Sequence, residues 1–220
     1  NFKLENYLES YKLLSDGRLV GVHLNKETAY CKAYSTYKIG KFQEAWRLFT
    51  ALESDGLERY GDRIKVIKKD IYLKLGDIQY AGGDYSQAAE HYKSALEYDR
   101  SDSAIIEKLA DCYYQLKSYR AAVDLYSQLG AAILVNPERS LQYGQSLYNL
   151  GQEKEAARYF YYAALKRTHY KLVIRAAELS EKYLTLKETI ELYLIALNIA
   201  KNAELNKKLG DLFYFQKDYN

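Results

Sequence analysis

The sequence predicts an all-α chain assembled from repeated antiparallel helix pairs. Three observations carry this. Apolar residues recur at spacings of three and four over most of the 220 residues, the period of an α-helix with one buried face. Turn residues, glycine above all, separate these stretches, and the chain has one proline, as a mostly helical chain requires. From Gly76 to Phe160 the pattern of small and aromatic residues returns every 34 positions.

Residues 2–14 place Leu4, Tyr7, Leu8, Tyr11 and Leu14 on one face of a helix that stops at Ser15-Asp16-Gly17. It is read as a cap, or as the end of an earlier repeat. Val20 to Asn25 is a connector, so residues 1–25 precede the array and 26–220 form it. The first pair occupies 26–59. Ala33 is its small residue, Gly40 its turn, and Phe42, Ala45 and Phe49 its second helix. Trp46 is expected to pack between pairs. Gly40 and Gly83 are 43 residues apart, nine more than the period. The extra residues are placed between Gly56 and Lys68, as a loop or an added helical turn.

The pair over 69–102 is written most fully. Tyr72, Leu75, Gly76 and Gln79 share a face, Gly82-Gly83-Asp84 turns the chain, and Ala88, Tyr92 and Ala95 follow at helical spacing. Gly76 costs about 1 kcal/mol of helix propensity against alanine. Close approach of the second helix is the expected return. Thirty-four residues on stand Ala110, Tyr119, Ala122 and Tyr126, and a further 34 give Gly144, Ala156 and Phe160. The pair over 103–136 has Lys117 where glycine would turn. The pair over 137–169 opens with Asn136-Pro137, a cap followed by a proline suited to a first turn. Glu153 there replaces an aromatic. The pair over 170–202 keeps Ala177, Thr189, Tyr193 and Ala196, with Tyr183–Lys187 as its turn. A partial pair over 203–220 has Leu209, Gly210, Phe213 and Tyr214. It ends at Lys217–Asn220, where a second helix would start: either its helix is a solvating cap or the pair is interrupted there, and interruption is the favoured expectation because Phe213 and Phe215 leave little polar face for a terminal cap.

This pattern resembles the tetratricopeptide repeat, a 34-residue helix–turn–helix unit. Tyr72, Leu75, Gly76, Gly83, Tyr85, Ala88, Tyr92 and Ala95 match it. Gln79 stands where the family favours tyrosine, and Arg100 where it favours proline. The resemblance implies a right-handed α-α superhelix, or solenoid, whose first helices line a concave groove for a protein partner. By helical spacing the groove set includes Tyr30, Tyr34, Tyr37, Asp70, Leu73, Asp77, Tyr80, Glu107, Asp111, Tyr114, Leu141, Gln145, Tyr148, Glu178, Asp211 and Tyr214. With Glu27, Ala104, Glu138, Lys171, Ile174, Glu181, Glu204 and Lys207 the set holds ten acids and two bases among 24 positions. The chain as a whole carries +3. The set therefore sits at −8 and the remainder at +11. An acidic concavity attracts cations, and tyrosine rings add cation–π contact, so the expected partner is a protein or peptide with a basic segment. Some family members clamp an acidic chaperone tail with lysine and asparagine. Tyr30, Tyr34, Leu73 and Asp77 in the corresponding positions speak against that clamp here.

Other chemistry finds little footing. His23, His91 and His169 lack metal-ligand spacing, and Gly82-Gly83 is a turn, not a phosphate loop. No catalytic constellation, cofactor site or metal site is read, so the expectation is a non-enzymatic scaffold. The alternative is a structural subunit that self-associates by stacking repeats, with Tyr159-Phe160-Tyr161-Tyr162 and the unfinished last pair as its surfaces. An RNA-binding helical repeat is a third reading, which the acidic face opposes. The longest apolar run, Tyr159 to Leu165, falls short of the roughly 18 residues of a membrane span. Cys31 and Cys112 are expected to be isolated buried thiols, consistent with a reducing, cytoplasmic compartment.

Overall fold

The computed structural model describes residues 2–16, 25–54, 60–166 and 169–218. Among them twelve α-helices and no strand occur. They are α1 (Phe2–Leu14), α2 (Lys26–Lys38), α3 (Phe42–Ser54), α4 (Gly61–Ala81), α5 (Tyr85–Leu96), α6 (Ser103–Gln115), α7 (Tyr119–Tyr126), α8 (Pro137–Asn149), α9 (Glu153–Lys166), α10 (Tyr170–Tyr183), α11 (Leu186–Ile199) and α12 (Ala203–Asp218). A 3-10 segment, Ser127–Leu134, follows α7. The chain forms two compact units, Asn1–Ile105 and Ile106–Asn220.

In the first unit α2 pairs with α3 and α4 with α5. The core is Ala33, Ala45, Phe49, Leu52, Ile64, Ile67 and Ile71. Part of the nine-residue excess in spacing is helix: α4 begins at Gly61, and this added length buries Ile64 and Ile67. Residues 55–59 and 17–24 lie outside the described residues, and with them Gly17 of the expected helix stop and Val20–Leu24 of the expected connector. The connector's last residue, Asn25, caps α2 by accepting from the Thr28 N–H at 2.8 Å. Trp46 packs edge-on to Tyr72, with ring centroids 6.3 Å apart, and so joins α3 to α4.

The second unit contains the pairs α8–α9 and α10–α11, and α12 packs on α11. Its core includes Ala122, Tyr126, Phe160, Val173, Ala177, Leu192 and Tyr193. Asn136 caps α8 through the Glu138 N–H at 2.9 Å, with Pro137 in the first turn. No glycine turns α10 into α11. Instead, Thr185 and Glu188 form a reciprocal capping box.

Four turns share one hydrogen-bond pattern. The N–H groups of Lys41, Asp84, Ser118 and Gln152 reach back to the carbonyls of Thr36, Gln79, Tyr113 and Leu147 at 2.9–3.1 Å. This closure needs a left-handed residue. Gly40, Gly83 and Gly151 supply it in three turns, and Lys117, with φ +58°, in the fourth.

At Gly76 an added Cβ would lie 2.5 Å from Tyr92 Cε1. Close approach of α5 is thus the reason for glycine inside α4. Cys112 is buried, whereas Cys31 is exposed, and both are free. The expectation of two buried thiols fails at Cys31, one turn before the buried Ser35, because it lines an open cleft between α1 and the start of α2.

Candidate partner-binding face

In the first unit, Tyr30 and Tyr34 of α2 face the added N-terminal turns of α4. With Asp62, Arg63, Val66 and Ile67 they line a cleft of about 630 Å³. Tyr30 stacks on Tyr60 at 4.3 Å and lies near-parallel to Tyr34 at 6.1 Å. Burial, ahead of nearby charges, raises the pKa of Tyr30. Lys38 sits 5.2 Å from the Tyr34 ring centre and 5.1 Å from that of Tyr37. Tyr37 donates its hydroxyl to Asp70 at 2.6 Å, and burial followed by this carboxylate pushes the phenol pKa upward. Leu73 is half-buried.

Asp77 has a partner inside its own pair: the Tyr92 hydroxyl donates to it at 2.7 Å. The second unit repeats this arrangement, with Tyr126 donating to Asp111 at 2.7 Å. Burial raises the Asp111 pKa. Two of the expected groove acids therefore orient buried tyrosines of the second helices. The signal was present in the sequence. Asp and Tyr stand 15 residues apart in both pairs, and where the acid becomes Gln145 the aromatic becomes Phe160, which has no hydroxyl to place.

The expected tyrosine ladder closes turns. Tyr37 meets Phe42, Tyr80 meets Tyr85 and Tyr114 meets Tyr119, with ring centroids 6.2, 5.1 and 6.4 Å apart. In each case the first helix's aromatic packs on the residue that opens the second. In the next pair that residue is Glu153, and the site opens into a cleft of about 590 Å³. Tyr148, Lys171, Ile174 and Glu178 line it, together with Glu153, Arg175 and Lys182. Arg175 lies 4.4 Å over the Tyr148 ring and donates to Gln145 at 3.4 Å. Glu153 accepts from Tyr183 at 2.7 Å and Lys182 at 2.9 Å, which lowers its pKa. Arg175 and Lys182 were missed because the helical register placed them beside the inner face, not on it.

Of the remaining groove residues, Glu107 pairs with Arg139 and Leu141 is half-buried. Glu178 and Asp211 are exposed. Tyr214 is 67% exposed beside Phe215. Contacts between successive pairs recur at separations of 27 to 33 residues, as in Tyr37–Asp70, Lys69–Asp102, Gln145–Arg175, Glu153–Tyr183 and Glu181–Lys208. The repeats are thus pinned to their neighbours by polar contacts as well as by core packing. No group of three or more His, Cys, Asp and Glu among the described residues is placed to hold a metal ion. None of the described helices is long and apolar enough to cross a membrane.

The family model for the tetratricopeptide repeat matches residues 79–140. Beta-soluble NSF attachment protein of Bos taurus is 30% identical over 119 residues, which is 50% of this chain and 38% of that protein. The chain thus spans well under half the length of this relative. Among solved structures, one titled MamA AMB-1 superposes with a TM-score of 0.52 at 22% identity, covering 82% of this chain and 96% of that one. A crystal structure of MamA protein gives 0.51 at 16% identity, covering 68% and 83%. These likenesses concern the fold, an all-α array of helix pairs. Over residues 79–140 the chain matches the tetratricopeptide repeat, and the helix pairs and glycine-closed turns on either side resemble that unit.

Proposed function

We propose that the chain is a non-enzymatic scaffold whose first-helix faces hold a basic segment of another protein. The observation that carries this reading is that tyrosine rings on those faces already hold cations. Lys38 lies over Tyr34 and Tyr37, and Arg175 over Tyr148. A partner's lysine or arginine would use the same ring chemistry, worth about 0.5–2 kcal/mol per contact. Each unit supplies negative charge at its own cleft: exposed Asp62 beside Tyr30 and Tyr34 in the first, and exposed Glu178 beside Tyr148 in the second. Asp70, Asp77 and Asp111 contribute mainly by positioning Tyr37, Tyr92 and Tyr126. The name of the soluble NSF attachment protein describes attachment to another protein, which supports the scaffold class. Two unpaired thiols fit a cytoplasmic location.

The test compares short labelled arginine-rich and glutamate-rich peptides by fluorescence anisotropy. The arginine-rich peptide should bind, bind more weakly at high salt, and lose several-fold affinity to Tyr34→Leu and to Glu178→Lys. Preference for the glutamate-rich peptide, or indifference to both substitutions, would overturn the reading. Self-association is the second reading, favoured by the exposed aromatics of α12; light scattering of the chain alone reads it directly.

A further inference from the structure

A second cleft opens on the other side of α4, away from the first-helix faces. Gln43, Trp46 and Arg47 of α3, Tyr72 and Leu75 of α4 and His91 of α5 line a space of about 390 Å³. By helical spacing Tyr72 and Leu75 lie on the side of α4 opposite Asp62, Arg63 and Val66, which serve the Tyr30–Tyr34 cleft. Its walls are three consecutive helices inside the first unit. The opening is thus a product of their packing and not of where the sequence begins or ends.

Three rings form much of the wall. Trp46 meets Tyr72 edge-on with centroids 6.3 Å apart, and Tyr72 lies 6.2 Å from His91. Burial lowers the His91 pKa, so this ring is uncharged at neutral pH. Lys68, bonded to Glu53 at 2.7 Å, lies 5.3 Å from the indole centre and steadies the ring.

The polar groups around these rings are donors that lack acceptors. The Trp46 indole N–H is buried with no acceptor among the described residues, an unfavourable state for a donor. Arg47 is exposed and makes no hydrogen bond or ion pair with a described residue. No carboxylate of a described residue lines the cleft. The acids of α3 and α5 are engaged elsewhere: Glu44 with Tyr11 and Lys41, Glu53 with Lys68, and Glu90 with Lys93. Positions outside the first-helix set also carry the positive excess of the chain.

We propose that this cleft docks an acidic segment of a partner protein. One aromatic side chain of the segment seats against Trp46, Tyr72 and His91, and a neighbouring carboxylate pairs with Arg47. Charge complementarity selects the acid, because Arg47 is a cation without a counter-ion among the described residues. Ring-to-ring contact selects the aromatic. The site is separate from the faces assigned above to a basic segment, so either can stand without the other.

The probe is a peptide of four glutamates flanking one phenylalanine, titrated against the full chain. Trp46 is the chain's only tryptophan, so its emission reads the cleft directly. That emission should shift and saturate, and Arg47→Glu should weaken binding about tenfold or more. Arg47 is exposed, so this variant leaves the fold intact. Arg120→Glu, the same charge change at an exposed position of α7, should alter affinity by less than about twofold. Alanine in place of the peptide's phenylalanine should also cost about tenfold. Unchanged emission, equal losses in Arg47→Glu and Arg120→Glu, or undiminished binding of the alanine peptide would each overturn the proposal. Phenylacetate binding as tightly as the peptide would assign the cleft to a small aromatic acid. A concentration-dependent dimer lost in Arg47→Glu would assign it to a second copy. Either result overturns the partner segment.

Discussion

One substitution made at two equivalent positions should have opposite effects. Gly76 and Gly210 share a register, and alanine is favoured over glycine inside a helix by about 1 kcal/mol. At Gly210 nothing lies within 4 Å of the new methyl, so Gly210→Ala should stabilise by about that amount. At Gly76 the methyl would lie 2.5, 2.8 and 3.0 Å from three ring atoms of Tyr92. That ring is 2% exposed and its hydroxyl is held by Asp77 at 2.7 Å. Overpacking costs about 1–3 kcal/mol, and displacing a hydrogen bond to a charged group adds about 1.5–3 kcal/mol if that bond breaks. After the propensity gain, Gly76→Ala should destabilise by up to about 2 kcal/mol if the Asp77 bond holds and by about 1.5–5 kcal/mol if it breaks. Repeat arrays need not unfold in one step. The assay is therefore urea unfolding combined with hydrogen exchange resolved to α4–α5 and to α12. Equal shifts of the same sign at both sites would refute the argument that α5 approaches through Gly76 while the matching face of α12 is open.

Lys117→Gly should stabilise by about 1 kcal/mol, because lysine is held at φ +58° in a turn that glycine enters freely; urea midpoints read the gain. Cys31 should react with a thiol reagent in the folded chain and Cys112 only after unfolding, since burial pushes the Cys112 thiol up to about 12. Asp102 accepts from Lys69 at 2.8 Å and caps α6 through the Ala104 N–H, and these bonds, Lys69 first, lower its pKa below 3.8. A lowered carboxylate stabilises the fold above its ordinary pKa and loses that contribution as pH falls through the folded value. Amides at the start of α6 should therefore exchange faster in acid, an effect absent in Asp102→Asn. Asp111 has the opposite sign. Burial raises its pKa, so its contribution declines as pH rises from the ordinary carboxylate value through the raised one.

The helix pairs were legible because the repeat spacing, the turn residues and the small–aromatic pattern all specify the same packing. The function of single polar residues was less so. Helical spacing tells which face a residue occupies, but not whether a longer side chain from another helix has already reached it. Asp77 and Asp111 were assigned to the partner by face alone, whereas Tyr92 and Tyr126 span their pairs to meet them. Glu153 read as a weakened contact. In the folded chain, loss of that aromatic leaves the Tyr148 ring open to Arg175 and gives Lys182 and Tyr183 an acceptor. The cleft beside Tyr30 and Tyr34 needed the added turns of α4, whose extent no repeat spacing could supply.

Hydrogen exchange with and without the arginine-rich peptide tests the central claim most directly. The account predicts protection in α2 and the first turns of α4, around Tyr34 and Arg63, and in α8 and α10 around Tyr148 and Ile174. Protection confined to the second helices α3, α5, α9 and α11 would contradict it.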